Sequence, residues 1–104
     1  MSSQNAPVAV YELGPTEVLD YAIDWTAWLP DGDSIVGEPA ISQSDGDGAL
    51  TVNPGDKSTT VAGSVTAWWL GTPTIGHNYK VHVAIVTAQG RTASRFVQIC
   101  GVDR

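Results

Sequence analysis

Prolines and glycines punctuate this chain at short intervals, and the runs between them alternate apolar with polar residues instead of spacing apolar ones for a helix. Pro sets φ and Gly accepts positive φ, so Gly14-Pro15, Pro30-Asp31-Gly32-Asp33, Ser44-Asp45-Gly46-Asp47-Gly48, Asn53-Pro54-Gly55 and Gln89-Gly90 each read as a turn. No stretch holds an apolar i, i+3, i+4, i+7 pattern with caps. The expected building block is the short strand.

The runs between the turns place those strands. Residues 8–13 suit a short edge strand, and residues 18–25 alternate with Tyr21, Ile23 and Trp25 on one side. The same strand is expected to continue through Trp28 to Leu29. Short strands follow at 34–36 and 40–42 around Gly37 and Pro39, and at 50–52. Residues 58–70 are rich in β-branched and aromatic side chains, with Gly63 marking a bulge or bend. After a loop at 71–78, residues 79–87 form the clearest strand, and Gln89-Gly90 turns it into a hairpin with 92–99. About seven strands with turns roughly ten residues apart predict an all-β, immunoglobulin-like or fibronectin-type β-sandwich. Tyr21, Ile23, Trp25, Tyr79, Val81, Val83 and Ile85 are its expected core.

The length of 104 residues fits one domain, taken here as 8–104, preceded by a loose polar arm at 1–7. The start of the chain lacks the basic and apolar stretches of a secretory signal, so synthesis and retention in the cytoplasm are expected. No apolar run approaches the ~20 residues of a membrane helix, so no membrane partner is expected. Eleven acidic residues against five basic ones give a net charge of −6, and Lys57, Lys80, Arg91, Arg95 and Arg104 are scattered. Binding to phosphate backbones needs clustered basic side chains, which argues against nucleic acid. Cys100 is alone, so no internal disulfide forms, and a lone Cys on an apolar strand reads as a small core residue.

Catalytic chemistry finds no footing. There is no Gly-x-Ser-x-Gly elbow, and His77 in a loop and His82 on the polar side of its strand have no triad or zinc spacing around them. Asp45-Gly46-Asp47-Gly48 begins like a calcium loop, but Ala49 and Leu50 stand where an oxygen ligand and a glycine are needed. Asp31 and Asp33 likewise read as turn chemistry. No catalytic residue, metal site or cofactor is expected, and a hydrolase is the weakest reading. Surfaces are what remain. Trp68 and Trp69 are adjacent in a strand and must face opposite ways, so one member of each pair, Trp25/Trp28 and Trp68/Trp69, is expected in the core. The outward member is expected to be exposed in the isolated chain and covered by a partner.

Asp20, Tyr21, Asp24, Trp25, Trp28 and Leu29, followed by Gly32, Asp33 and Ile35, resemble a motif of small tailed-bacteriophage proteins described as fibre–tail adaptors. Trp69-Leu70, then Gly76 with Tyr79, then Thr87, Gly90, Arg91 and Thr92 match later blocks in the same order, over residues 14–99. One departure is the loop after Trp69-Leu70, often short and Gly-rich in the family but carrying Pro73 and Ile75 here. The resemblance implies a non-enzymatic, immunoglobulin-like virion protein, assembled in the host cytoplasm. It would stand in several copies between tail or baseplate and fibre subunits. Trp28, Trp68, Trp69, Asp31, Asp33 and His77 are the candidate interface residues. The alternative from another class is a carbohydrate-binding or host-adhesion module that uses exposed tryptophans.

Overall fold

A computed structural model of the chain describes residues 7–103, so most of the expected arm lies outside the described residues. All regular structure within them is strand: β1 (Val10–Leu13), β2 (Val18–Asp24), β3 (Ile35–Ser44), β4 (Thr51–Val52), β5 (Thr60–Ala62), β6 (Val65–Gly71), β7 (Asn78–Thr87) and β8 (Thr92–Gly101). They form two sheets. One has the order β1-β8-β7-β3, and the other has the order β2-β6-β4 with β5 also paired to β6. All pairings are antiparallel except β1 with β8, which is parallel.

Period-two alternation turns one face of each sheet inward. Tyr21 and Ile23 of β2, Trp68 and Leu70 of β6, Tyr79, Val81, Val83 and Ile85 of β7, and Val97 and Ile99 of β8 join one core with Leu13, Trp25 and Leu50. All the residues expected in the core from the two clearest strands are buried, and Leu13, Leu50, Leu70, Val97 and Ile99 join them without having been named. Trp25 is 2% exposed, and its indole N–H donates to the buried Thr66 hydroxyl at 3.1 Å, which satisfies the one polar atom it brings inside.

Four local expectations are corrected, each by a contact remote or absent in the alternation pattern. The strand at 18–24 does not run on to Leu29. Asp24 Oδ1 accepts from the Thr26 amide and hydroxyl at 2.9 and 2.6 Å, and the Trp28 and Leu29 amides both donate to the Trp25 carbonyl, so the chain coils into a turn. The two fragments around Gly37 and Pro39 are one strand, β3, whose register with β7 shifts between Val36 and Ala40. Residues 58–70 are instead a hairpin of β5 and β6, since Ala62 pairs with Val65 across Gly63-Ser64 and Gly63 has φ +63°. That division brings the total to eight strands. Cys100 is half-buried on the outer side of β8, where its Sγ accepts from Gln98 Nε2 at 3.7 Å, and is not a core residue.

Candidate functional site

Both sheets end, where β2, β3, β6 and β7 meet their loops, in three adjoining connections: residues 25–34, the Gly63-Ser64 turn and residues 88–91. The first is held by backbone and side chain together. The Trp25 amide donates to the Ser64 carbonyl at 2.8 Å, and the Thr26 and Ser64 hydroxyls are 2.8 Å apart, joining the loop to the β5–β6 turn. The Asp33 amide closes a turn onto the Pro30 carbonyl at 3.1 Å, as the Pro-Asp-Gly-Asp composition implies. Trp28 stands edge-on to Trp25 with ring centroids 5.9 Å apart, so its anchor is the core tryptophan itself.

Asp33 ties this loop to the β7–β8 turn. Its Oδ1 accepts from the Ser34 and Gln89 amides at 3.0 and 3.1 Å, and its Oδ2 accepts from Arg91 Nη1 at 2.9 Å. The Asp33 side chain has 0% accessible surface against 46% for Arg91. Burial pushes this carboxyl up, but hydrogen bonds from Thr87, Gln89, Ser34 and Arg91 outweigh it and hold the carboxyl below its usual value. The Ala88 amide adds a bond to the Ser34 carbonyl at 2.9 Å. The Asp24 carboxyl is likewise lowered, by the Thr26 hydroxyl and then the Thr26 amide.

An open cleft of about 390 Å³ lies between the 25–34 loop and the β5–β6 turn, lined by Thr26, Leu29, Pro30, Asp31, Gly32, Asp33, Ser34, Gly63 and Ser64. Leu29 and Pro30 give it an apolar wall, and the exposed Asp31 gives it a negative charge. Among the described residues no group of three or more His, Cys, Asp or Glu is arranged to hold a metal ion.

The six candidate residues fall in four places. Trp28 is half-buried beside the cleft, Asp31 lines it, and Asp33 is consumed in the loop network beneath it. Trp68 is 0% exposed, opposite Tyr21 in the β2–β6 pairing, so it is removed from the candidate surface. Trp69 faces outward but is half-buried, with Lys57 Nζ 4.5 Å from its ring centroid. His77 is exposed at the opposite end, in the β6–β7 loop beside the exposed Ile75. One tryptophan of each pair is indeed in the core. The outward members are shielded more than the sequence implied: Trp28 packs edge-on against Trp25, and the Lys57 ammonium stands over Trp69. Thr26, Leu29, Gly63 and Ser64 were not singled out from the sequence, since only the β5–β6 hairpin brings 63–64 to the 25–34 loop.

A family model described as podophage GP4 fiber-tail adaptor protein gp77 matches residues 14–99. The chain belongs to that family. No curated protein matches it. The blocks that resemble fibre–tail adaptors have structural counterparts at both ends of the sheets. The Gly32-Asp33-Ser34-Ile35 block and the Thr87 to Thr92 block meet through the Asp33–Arg91 pair. At the other end, the Gly76-x-x-Tyr79 block makes a tyrosine corner, with the Thr74 amide donating to the Tyr79 hydroxyl at 2.9 Å. That partner lies in the loop that leads into β7. The Tyr79 hydroxyl in turn donates to Asp47 Oδ1 at 2.6 Å, a bond the sequence did not suggest.

Proposed function

We propose that this member of the fiber-tail adaptor family is a non-enzymatic virion component that joins fibre proteins to the podophage tail through loops at the two ends of its sheets. Family membership over residues 14–99 carries the reading. The loop geometry supports it: both ends are cross-braced by part-buried or charge-assisted hydrogen bonds, so each presents a preformed surface. The strand order supports an immunoglobulin-like sandwich, with β2 and β6 in one sheet, β3, β7 and β8 in the other, and β1 running parallel to β8 at its edge. The cleft beside Trp28 and Asp31 is the first contact surface, and the 72–77 loop with Ile75 and His77 is the second. Assembly from several copies in the host cytoplasm belongs to the same reading.

The glycan-binding alternative needs an open aromatic platform for a sugar to stack on. Among the described residues the exposed large hydrophobics are Val8, Val10, Val18, Leu19, Val36, Val61, Ile75 and Val86, none of them aromatic. The test mixes the purified chain with purified tail and fibre proteins of its own phage. A complex of all three by size exclusion, with tail and fibre failing to associate without this chain, is the expected result. A chain that binds fibre-free glycan arrays and neither virion protein would point to adhesion instead.

A further inference from the structure

Each exposed edge of the two sheets offers unpaired backbone groups to another chain, and proteins blunt such edges by shortening, bending or charging them. Three of the four edges here are blunted by shape. β1 has 4 residues, β3 carries the register shift around Gly37 and Pro39, and the edge opposite β2 is divided between β4 and β5 with 2 and 3 residues. β2 is different. All 7 of its residues pair with β6 without a register shift, it holds neither Pro nor Lys nor Arg, and no described strand lies on its other side. Leu19 points to the core side, in step with buried Tyr21 and Ile23, yet is 38% exposed. The core is open along this edge.

Charge says what fits there. Asp20 and Asp24 are exposed on the outer face of β2, opposite Trp69 and Val65 in the pairing, and neither makes an ion pair among the described residues. Like charges set directly opposite one another disfavour a second copy of β2 against the first. Residues 1–6 contain no Lys or Arg, so the chain's own start lacks the complementary charge. We propose that the free edge of β2 is a strand-addition site for a basic extended segment of another protein. Such a segment would set Lys or Arg 4 residues apart against Asp20 and Asp24, with apolar residues between and beyond them covering Tyr21, Ile23 and the exposed Leu19. The inference stands on the edge itself and is independent of the adaptor reading.

The probe is a fluorescein-labelled peptide, Val-Arg-Val-Thr-Val-Arg-Val, titrated onto the full chain by anisotropy, with amide exchange mapping the contact. The expected result is salt-sensitive binding with new amide protection confined to 18–24. An Asp20→Asn variant, which leaves the Asp24–Thr26 turn bonds in place, should bind several-fold more weakly, and the same peptide with Glu for Arg should not bind wild type. The peptide swap requires no folded variant. The proposal is overturned by no binding, by protection elsewhere, or by equal binding of the Glu peptide. It is also overturned if protection of 18–24 rises with protein concentration alone, which identifies a second copy. Binding that emerges only after deletion of residues 1–6 overturns it as well, since the chain's own start then fills the edge.

Discussion

Tyr79 has its ring in the core and its hydroxyl between two loops, accepting from the Thr74 amide and donating to the Asp47 carboxylate. Gly46 makes room for it: a Cβ at 46 would fall 2.5 Å from Tyr79 Cδ1, and the residue's φ of +70° disfavours any other side chain. Half of this corner was legible, because Gly76-x-x-Tyr79 signals a tyrosine bonding back to its preceding loop. The Asp47 bond was not, since 32 residues separate the partners and the acidic turn resembles any other. Tyr79→Phe keeps the packing and strands the Thr74 amide, so it should cost about 1–3 kcal/mol in urea unfolding. The same corner sets an acid response. Hydrogen bonds from Thr74, Tyr79 and the Ala49 amide, in that order, hold the Asp47 carboxyl well below its ordinary value. A carboxyl depressed in the folded state contributes stability that is present above its unfolded pKa of about 4 and is lost as pH falls toward the folded one. The melting temperature of wild type should therefore drop as pH goes below about 4. Asp47→Asn should be less stable at neutral pH and should show a shallower acid drop. Parallel acid drops in the two proteins would remove Asp47 from this role.

Elements were legible where alternation is local and two-sided. β7 and the β7–β8 hairpin show it and were placed within a few residues, and β2 was placed at its start, though it stops at Asp24 instead of running on to Leu29. β3 and the β5–β6 pair were misread because their limits depend on partners rather than on their own pattern. A bulge keeps β3 on β7 across Gly37 and Pro39, and Gly63-Ser64 folds a run of strand-forming residues back on itself. The loops between elements show the same dependence: Asp33 read as a turn former, and its acceptance of amides from Ser34 and Gln89 appears only when the two loops meet. That arrangement ranks two substitutions. Arg91 is 46% exposed and its ion pair is screened by water, so Arg91→Ala should lower the melting temperature only slightly. Asp33→Ala leaves the Gln89 amide without its acceptor and should lower it more, with faster hydrogen exchange at Gln89. Equal losses in the two variants would show that the ion pair, and not the amide acceptor, joins the loops.

An adaptor of the kind proposed needs two surfaces that do not overlap, and the sheets supply the distance. β7 runs from the His77 end to the Thr87 end with 10 residues, a span of about 33 Å at the usual strand rise. Trp28 and Asp31 sit at one end of that span, while Ile75 and His77 sit at the other. The chemistry of the ends differs too. The cleft is acidic with an apolar wall, whereas the 72–77 loop offers an exposed isoleucine and a histidine. The sequence marked both loops as contacts, but it also pointed to Trp68 and Asp33, whose side chains are spent inside the fold. Burial of that kind depends on which strand or loop lies opposite. Substituting residues that hold no other residue in place should therefore separate the two partners. Asp31→Lys should weaken binding to one virion protein at least tenfold, because it reverses the charge of the cleft without touching the loop bonds. Ile75→Ser with His77→Ala should weaken binding to the other, and each variant should bind the remaining partner as wild type does. Calorimetric titration of each variant against purified tail and fibre proteins measures both affinities. If either variant weakens both partners alike, the two ends do not work as separate surfaces, and contact must run along the sheet faces instead.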